Sequence, residues 1–246
     1  MNFAHLPDDW PNQRETLRRL GTHVVARAQQ QDTGHFALMP LPGGFGTPQF
    51  GADRRRIRIV GGSLFAESIV DGNARTQVEM IAGSTVRSLC EAIGIDVDAE
   101  LNVGHDTPEA GDPDEMIMLD SAATTVLDDW YQLGARAIDT AVASLPDAQA
   151  GVSRLWPEHF DIGIDVAIDP ARKPGARCNL GAAAGDSFHQ EPYLYVGPWD
   201  ADRPGSAEFW NAPFGATIGF GDLDASDNPL QSAIEFFLTG LAHLRM

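Results

Sequence analysis

The chain has little cysteine, almost no lysine and no long apolar run. Two cysteines in 246 residues, Cys90 and Cys178, supply neither a disulfide framework nor a CxxC metal knuckle. A reducing compartment, the cytoplasm, is therefore the expected location. Cys90 falls on the apolar stripe of a helical pattern and reads as a small buried hydrophobe, whereas Cys178 lies in a polar stretch and reads as exposed. No apolar run approaches the roughly 20 residues that cross a bilayer. The start, Met1-Asn2-Phe3-Ala4-His5-Leu6-Pro7-Asp8-Asp9, has neither the basic end nor the apolar stretch of a signal peptide. No membrane partner is expected.

Positive charge is scarce. Seventeen basic residues, of which only Lys173 is lysine, face 35 acidic ones, and the net charge is −18. Such a chain repels phosphate backbones and anionic membrane surfaces, so nucleic acid is not an expected partner. The one dense basic run, Arg54-Arg55-Arg56 with Arg58, reads as the decoration of a strand edge. With 43% apolar and 21% charged residues, the composition is globular, with enough apolar surface for one large core or two small ones.

Periodicity then divides the chain. A helix is expected from Asp9, with Pro11 in its first turn and Leu17, Leu20, Val24 and Ala28 on one face; His23 on it reads as a surface or boundary residue. Residues 35–41 look extended, and Gly43-Gly44-Phe45-Gly46-Thr47-Pro48 reads as a flexible loop. Gly61-Gly62 joins two strands in a tight hairpin, and residues 76–82 suggest a weaker strand. Ser84 is placed to cap a helix with Val86, Leu89, Cys90 and Ile93 on one face, ended by Gly94. Residues 104–119, which include His105, are rich in Gly, Pro and acid and read as a linker. A long helix follows from Ser121, with Val126, Trp130, Leu133, Ala137, Ala141 and Leu145 inward and Pro146 at its end. Strands are expected near 154–168, 190–197 and 214–220, then a helix opened by Asn228-Pro229. Strands clustered between helices predict an α+β fold of antiparallel sheets packed by helices. The order helix, strands, helix occurs twice, so one unit over 1–246 contains two similar halves, 1–103 and 120–246.

The candidate site lies in the second half. From Glu158 to Ile168, Phe160, Ile162, Ile164, Val166 and Ile168 alternate with His159, Asp161, Gly163, Asp165 and Ala167. Alternation on a strand puts His159, Asp161 and Asp165 on one face. In the next strand Leu194 and Val196 share one face, and His189, Glu191, Tyr193 and Tyr195 the other. Paired as antiparallel neighbours, the two strands would bring their polar faces together. His159, Asp161, His189 and Glu191 are thus the candidate catalytic residues, with Tyr193, Trp199, Trp210 and Asn211 as candidate ligand contacts. Two chemistries suit the set: a His–carboxylate general base, or a divalent metal held by His159, Asp161 and His189. A solvated sheet face with no site is the third reading. For Asn211 a turn role competes with ligand contact. Gly181–Gly185 and Gly43–Gly46 lack the Lys-Ser/Thr ending and following helix of a phosphate loop, and Ser187 lacks a Gly-x-Ser-x-Gly setting.

Three words, Leu155-Trp156-Pro157-Glu158-His159-Phe160-Asp161, Glu191-Pro192-Tyr193-Leu194-Tyr195-Val196-Gly197-Pro198-Trp199 and Phe209-Trp210-Asn211-Ala212-Pro213-Phe214-Gly215, resemble a group of uncharacterised actinobacterial proteins of similar length, as does Gly43–Pro48. The resemblance implies a bacterial, intracellular, single-unit protein and carries over no functional residues. The expectation is a small-molecule-binding protein or enzyme with its pocket on the C-terminal sheet. A metal-dependent enzyme is the first alternative. A non-catalytic interaction protein, monomeric or dimeric through sheet edges or the last helix, is the second.

Overall fold

The computed structural model describes residues 3–104, 107–145, 147 and 149–246. His105 and Pro146 lie outside the described residues.

The helix expected from Asp9 forms as α1 (Trp10–Leu20), continues through a π-helical turn (Gly21–Ala26) and ends as α2 (Arg27–Thr33). Its inward stripe is as read: Leu17, Leu20, Val24 and Ala28 are all buried. One extra residue per turn shifts the phase at Gly21–Ala26, and every residue of that turn is buried. His23 is therefore interior, 4% exposed, with Nε2 2.8 Å from the Pro108 carbonyl oxygen, and not the surface residue its position suggested.

A meander follows: β1 (Met39–Leu41), β2 (Gly44–Gly46), β3 (Arg56–Val60), β4 (Ser63–Val70) and β5 (Asn73–Met80), paired antiparallel in that order. The Gly-rich stretch read as a loop is strand β2. A Cβ on Gly44 or Gly46 would overlap the carbonyl oxygen of Ile59 or Ile57, so glycine is what lets β2 approach β3. The arginines of β3 sit inside the sheet, not on its edge. Arg58 pairs with Glu67 at 2.8 Å and lies over the Phe65 ring. The hairpin at Gly61-Gly62 forms as expected, both residues having left-handed φ of 54° and 83°. Helix α3 (Val86–Ala92) is capped by Thr85, not Ser84: its hydroxyl accepts from Ser88 N at 3.0 Å and Ser88 Oγ answers from Thr85 N.

Residues 107–119 do not behave as a linker. Ile117 is buried and exchanges backbone hydrogen bonds with Gly83 and Ser84, and Arg87 donates to Asp114 at 2.9 Å. Helix α4 (Ser121–Ala143) carries the expected stripe, with Val126, Trp130, Leu133, Ala137 and Ala141 fully buried.

The second sheet is again antiparallel and sequential, in the order β10-β9-β8-β7-β6, with β6 (Arg154–Trp156), β7 (Asp161–Asp169), β8 (Lys173–Ala183), β9 (Tyr193–Pro198) and β10 (Ala216–Gly219). Helices α5 (Phe220–Asp224) and α6 (Pro229–Leu244) end the chain. Asn228 caps α6 by accepting from Gln231 N. The fold is α+β, two five-stranded antiparallel sheets packed by helices, and helix, meander, helix is repeated.

Chain contacts divide the molecule into two units, at places other than the Gly/Pro-rich stretch. One comprises Ala4–Asp128 with Leu155–Phe160. The other comprises Asp129–Arg154 and Asp161–Met246, with Phe3. In the second unit one sheet face carries Ile162, Val166, Leu180, Ala182, Leu194 and Val196, all buried, under α4 and α6. Gly134 of α4 lies against Ala182 and Leu194, and Gly240 of α6 against Val196.

Candidate functional site

The strand expected over 154–168 is broken in two. Pro157–Phe160 forms a turn closed by Phe160 N donating to Trp156 O at 2.7 Å, and Phe160 has a left-handed φ of 54°. A bulky residue takes that conformation only under constraint, and the constraints are visible in the first unit. Thr22 Oγ1 donates to Pro157 O at 3.1 Å, Arg18 holds Glu158 O, and the Phe160 ring is buried edge-on against Phe45 at 5.4 Å. The turn resets the alternation. His159 is left exposed on it, outside the strand that carries Asp161.

A second correction concerns the partner strand. β8, unread in the sequence, runs between β7 and β9. His189 and Glu191 precede β9, both exposed in the loop Ala184–Pro192. Asp186 organises that loop: its Oδ1 accepts from Phe188 N at 2.7 Å and His189 N at 3.1 Å, and its own N–H donates to His189 O at 2.8 Å. Among the described residues no three His, Cys, Asp or Glu side chains group as a metal ion requires, so His159, Asp161 and His189 do not form the ligand set considered for a divalent metal.

What the sheet does assemble is a tyrosine–carboxylate face. Asp161 and Gly163 on β7, Gly181 and Ala183 on β8, and Tyr193 and Tyr195 on β9 point to the same side by register. Tyr195 sits opposite Gly181, and its ring lies across that glycine, where a Cβ would overlap Cζ and Oη. The phenol thereby spans the middle strand and donates to Asp161 Oδ2 at 2.5 Å. Burial, then the adjacent Asp161 carboxylate, pushes the Tyr195 phenol well above its ordinary value, so it remains a donor at neutral pH. Tyr193, 4% exposed, donates to Asp186 Oδ2 at 2.7 Å. Both tyrosines of β9 are thus tied to aspartates.

Above them lies a ring cluster. Phe188 and Phe214 meet edge-on at 5.1 Å, and Phe188 packs on Tyr193 at 5.9 Å. Phe214 stands perpendicular to Tyr195 at 6.3 Å. Phe188 and Phe214 are 46% and 36% exposed, with exposed Glu191 and His189 on the same loop. The His189 ring centroid is 6.0 Å from that of Tyr193. Trp199, 61% exposed, is held farther along the face by donation to Asn179 Oδ1 at 3.0 Å, beside Arg177, itself paired with Asp165.

Two expected contacts serve the frame instead. Asn211 Oδ1 accepts from Thr217 N at 2.8 Å and its Nδ2 donates to Thr217 O at 2.9 Å, as a neighbouring strand would, so Asn211 covers the edge of β10. Trp210 donates to Pro204 O and packs on Phe209 and, from α6, His243. A cleft of about 440 Å³ in this unit lies beside the β7–β8 hairpin, lined by Lys173, Asp200, Asp202 and Leu244 among others, and excludes the ring cluster.

Sequence reasoning passed over Asp186 and Phe188 as site members. Their signal was Asp-Ser-Phe-His, an Asx turn holding an aromatic residue beside the Tyr-x-Tyr strand. Cys178, expected exposed, is buried on β8, and burial pushes its thiol up to about 12. With this geometry in hand, comparison with protein-family models, curated proteins and solved structures finds no match.

Proposed function

We propose that the protein binds a small organic cation carrying an apolar or aromatic group, on the ring cluster of the C-terminal sheet. The observation behind this reading is the placement of exposed Phe188 and Phe214 on Tyr193 and Tyr195, both anchored to aspartates. Ring faces attract cations. The hydrogen bonds to Asp161 and Asp186 draw phenol protons toward carboxylates and leave both rings electron-rich. Glu191 and the net charge of −18 add a long-range pull on cations. The role is binding: His159 lies outside strand β7, and His189 and Glu191 are exposed on the loop before β9.

Titration with benzyltrimethylammonium, benzyl alcohol and benzoate tests the proposal, read by backbone amide shifts. The cation is expected to bind saturably with shifts at 185–197 and 212–217, roughly 2- to 30-fold tighter than the neutral compound, as a cation–π contribution of about 0.5–2 kcal/mol implies. Phe214→Ala should remove that preference while leaving remote shifts unchanged. Benzoate binding as well as the cation, or no saturable shift with any of the three, refutes it.

A further inference from the structure

Strand β5 is the outer strand of the first sheet, and its exposure is unusual. All of its residues except Glu79 are exposed. Val78 is 49% and Met80 66% exposed. Among the described residues no strand pairs with its outer side. Exposed edges are normally protected by proline, a bulge, shortness or repulsive charge. β5 has eight residues, no proline, and an unbroken register with β4 from Ser63↔Met80 to Val70↔Asn73.

The hairpin turn establishes which backbone groups are open. Asp71 and Gly72 have φ of 51° and 76°, the two left-handed residues of a type I′ turn. The flanking pair Val70 and Asn73 then exchanges both backbone hydrogen bonds, and hydrogen-bonded pairs recur at every second residue. Asn73, Arg75, Gln77 and Glu79 consequently turn their N–H and C=O groups to β4. Ala74, Thr76, Val78 and Met80 present theirs at the open edge.

We infer that this edge pairs antiparallel with β5 of a second copy of the chain, in the register centred on Gln77. Open groups must meet open groups, which restricts the allowed registers to steps of two residues. Centred on Gln77, Thr76 faces Val78 of the second copy and Ala74 faces Met80, both as hydrogen-bonded pairs. Arg75 faces Glu79 of the second copy, and Glu79 its Arg75, in non-hydrogen-bonded pairs, where cross-strand side chains are closest. Centring on Thr76 or Val78 leaves Arg75 without Glu79 opposite. On the other sheet face the same pairing sets Val78 opposite Thr76 and Met80 opposite Ala74 of the second copy, with the two Val78 side chains diagonal neighbours across the axis, while Arg75, Gln77 and Glu79 share one face. The strand is thus self-complementary in charge and in backbone groups, as a two-fold interface requires.

Sedimentation equilibrium of the full chain tests this. A concentration-dependent monomer–dimer equilibrium is expected. Val78→Pro removes an N–H that the fold does not use, tolerable on an edge strand, and should leave the circular dichroism unchanged while abolishing the dimer. Glu79→Arg sets like charges opposite each other twice and should weaken association about tenfold, from roughly 0.7 kcal/mol per pair. The double reversal Arg75→Glu, Glu79→Arg should restore it. Gln77→Cys should form a disulfide across the axis, where Cα atoms approach about 4.5 Å; the native thiols Cys90 and Cys178 are buried. A monomer at every concentration, no cross-link in the Gln77→Cys variant, a dimer indifferent to Val78→Pro, or a double reversal as weak as the single overturns the inference.

Discussion

Gly181 shows how one residue type shapes the site. A tyrosine on β9 reaches a carboxylate on β7 only if the strand between them has no side chain in the way, and the Tyr195 ring lies across that vacancy. Gly181→Ala forces ring and methyl apart, and overpacking of this kind costs about 1–3 kcal/mol. In a Tyr195→Ala background the new methyl meets nothing from that ring, so Gly181→Ala should then cost much less. Urea unfolding of the two single variants and the double variant measures the coupling. Additive costs would show that ring and glycine do not meet as described. The same glycine, within Gly181-Ala182-Ala183-Ala184-Gly185, invites a loop reading because small residues have low strand propensity. Their smallness is instead what neighbours on both faces require: Tyr195 on one, and helix α4 at Gly134 on the other.

Elements repeat that lesson with the opposite sign of expectation. Gly134 lies in the interior of α4, where alanine would ordinarily stabilise by about 1 kcal/mol. A Cβ there would overlap Ala182 Cβ on β8. Gly134→Ala is therefore expected to lower the thermal midpoint despite better helix propensity, and a raised midpoint would refute the close helix–sheet contact. Helices α1, α4 and α6 were legible because their apolar residues recur with helical spacing and their starts carry recognisable caps or prolines. Strands β2 and β8 were not, since β2 is Gly-Phe-Gly and β8 mixes Pro, Gly, Ala and polar residues without an alternating apolar pattern. The turn at Pro157–Phe160 was equally hidden. Alternation continues through the letters, and only the anchoring of Phe160 on Phe45, with Thr22 and Arg18 on the turn carbonyls, breaks the strand there.

At the scale of the whole molecule, charge is the dominant feature. Thirty-five acidic residues against 17 basic ones leave many carboxylates without a cation. Among the described residues, ion pairs such as Arg87 with Asp98 and Asp114 and Arg172 with Asp169 lie at the surface, and surface pairs contribute little. Self-repulsion should therefore outweigh local attraction. Adding sodium chloride at neutral pH, which shortens the screening length from about 30 Å at 0.01 M to about 8 Å at 0.15 M, is expected to raise the thermal midpoint. A fall on adding salt would show that the ion pairs carry net stability. No helix among the described residues is long and apolar enough to cross a membrane.

The tyrosine–carboxylate face of the C-terminal sheet was half visible from the start. Composition and periodicity determined the α+β class, the antiparallel sheets, the main helices and the polar side of Asp161, Tyr193 and Tyr195, because burial stamps its period on the residues of each element by itself. Strand neighbours, the loss of His159 from that face and the part played by Asp186, Phe188 and Phe214 were decided only in three dimensions. Those depend on which side chain fills the space beside another, as Tyr195 fills the space over Gly181, and residues distant in sequence settle that together.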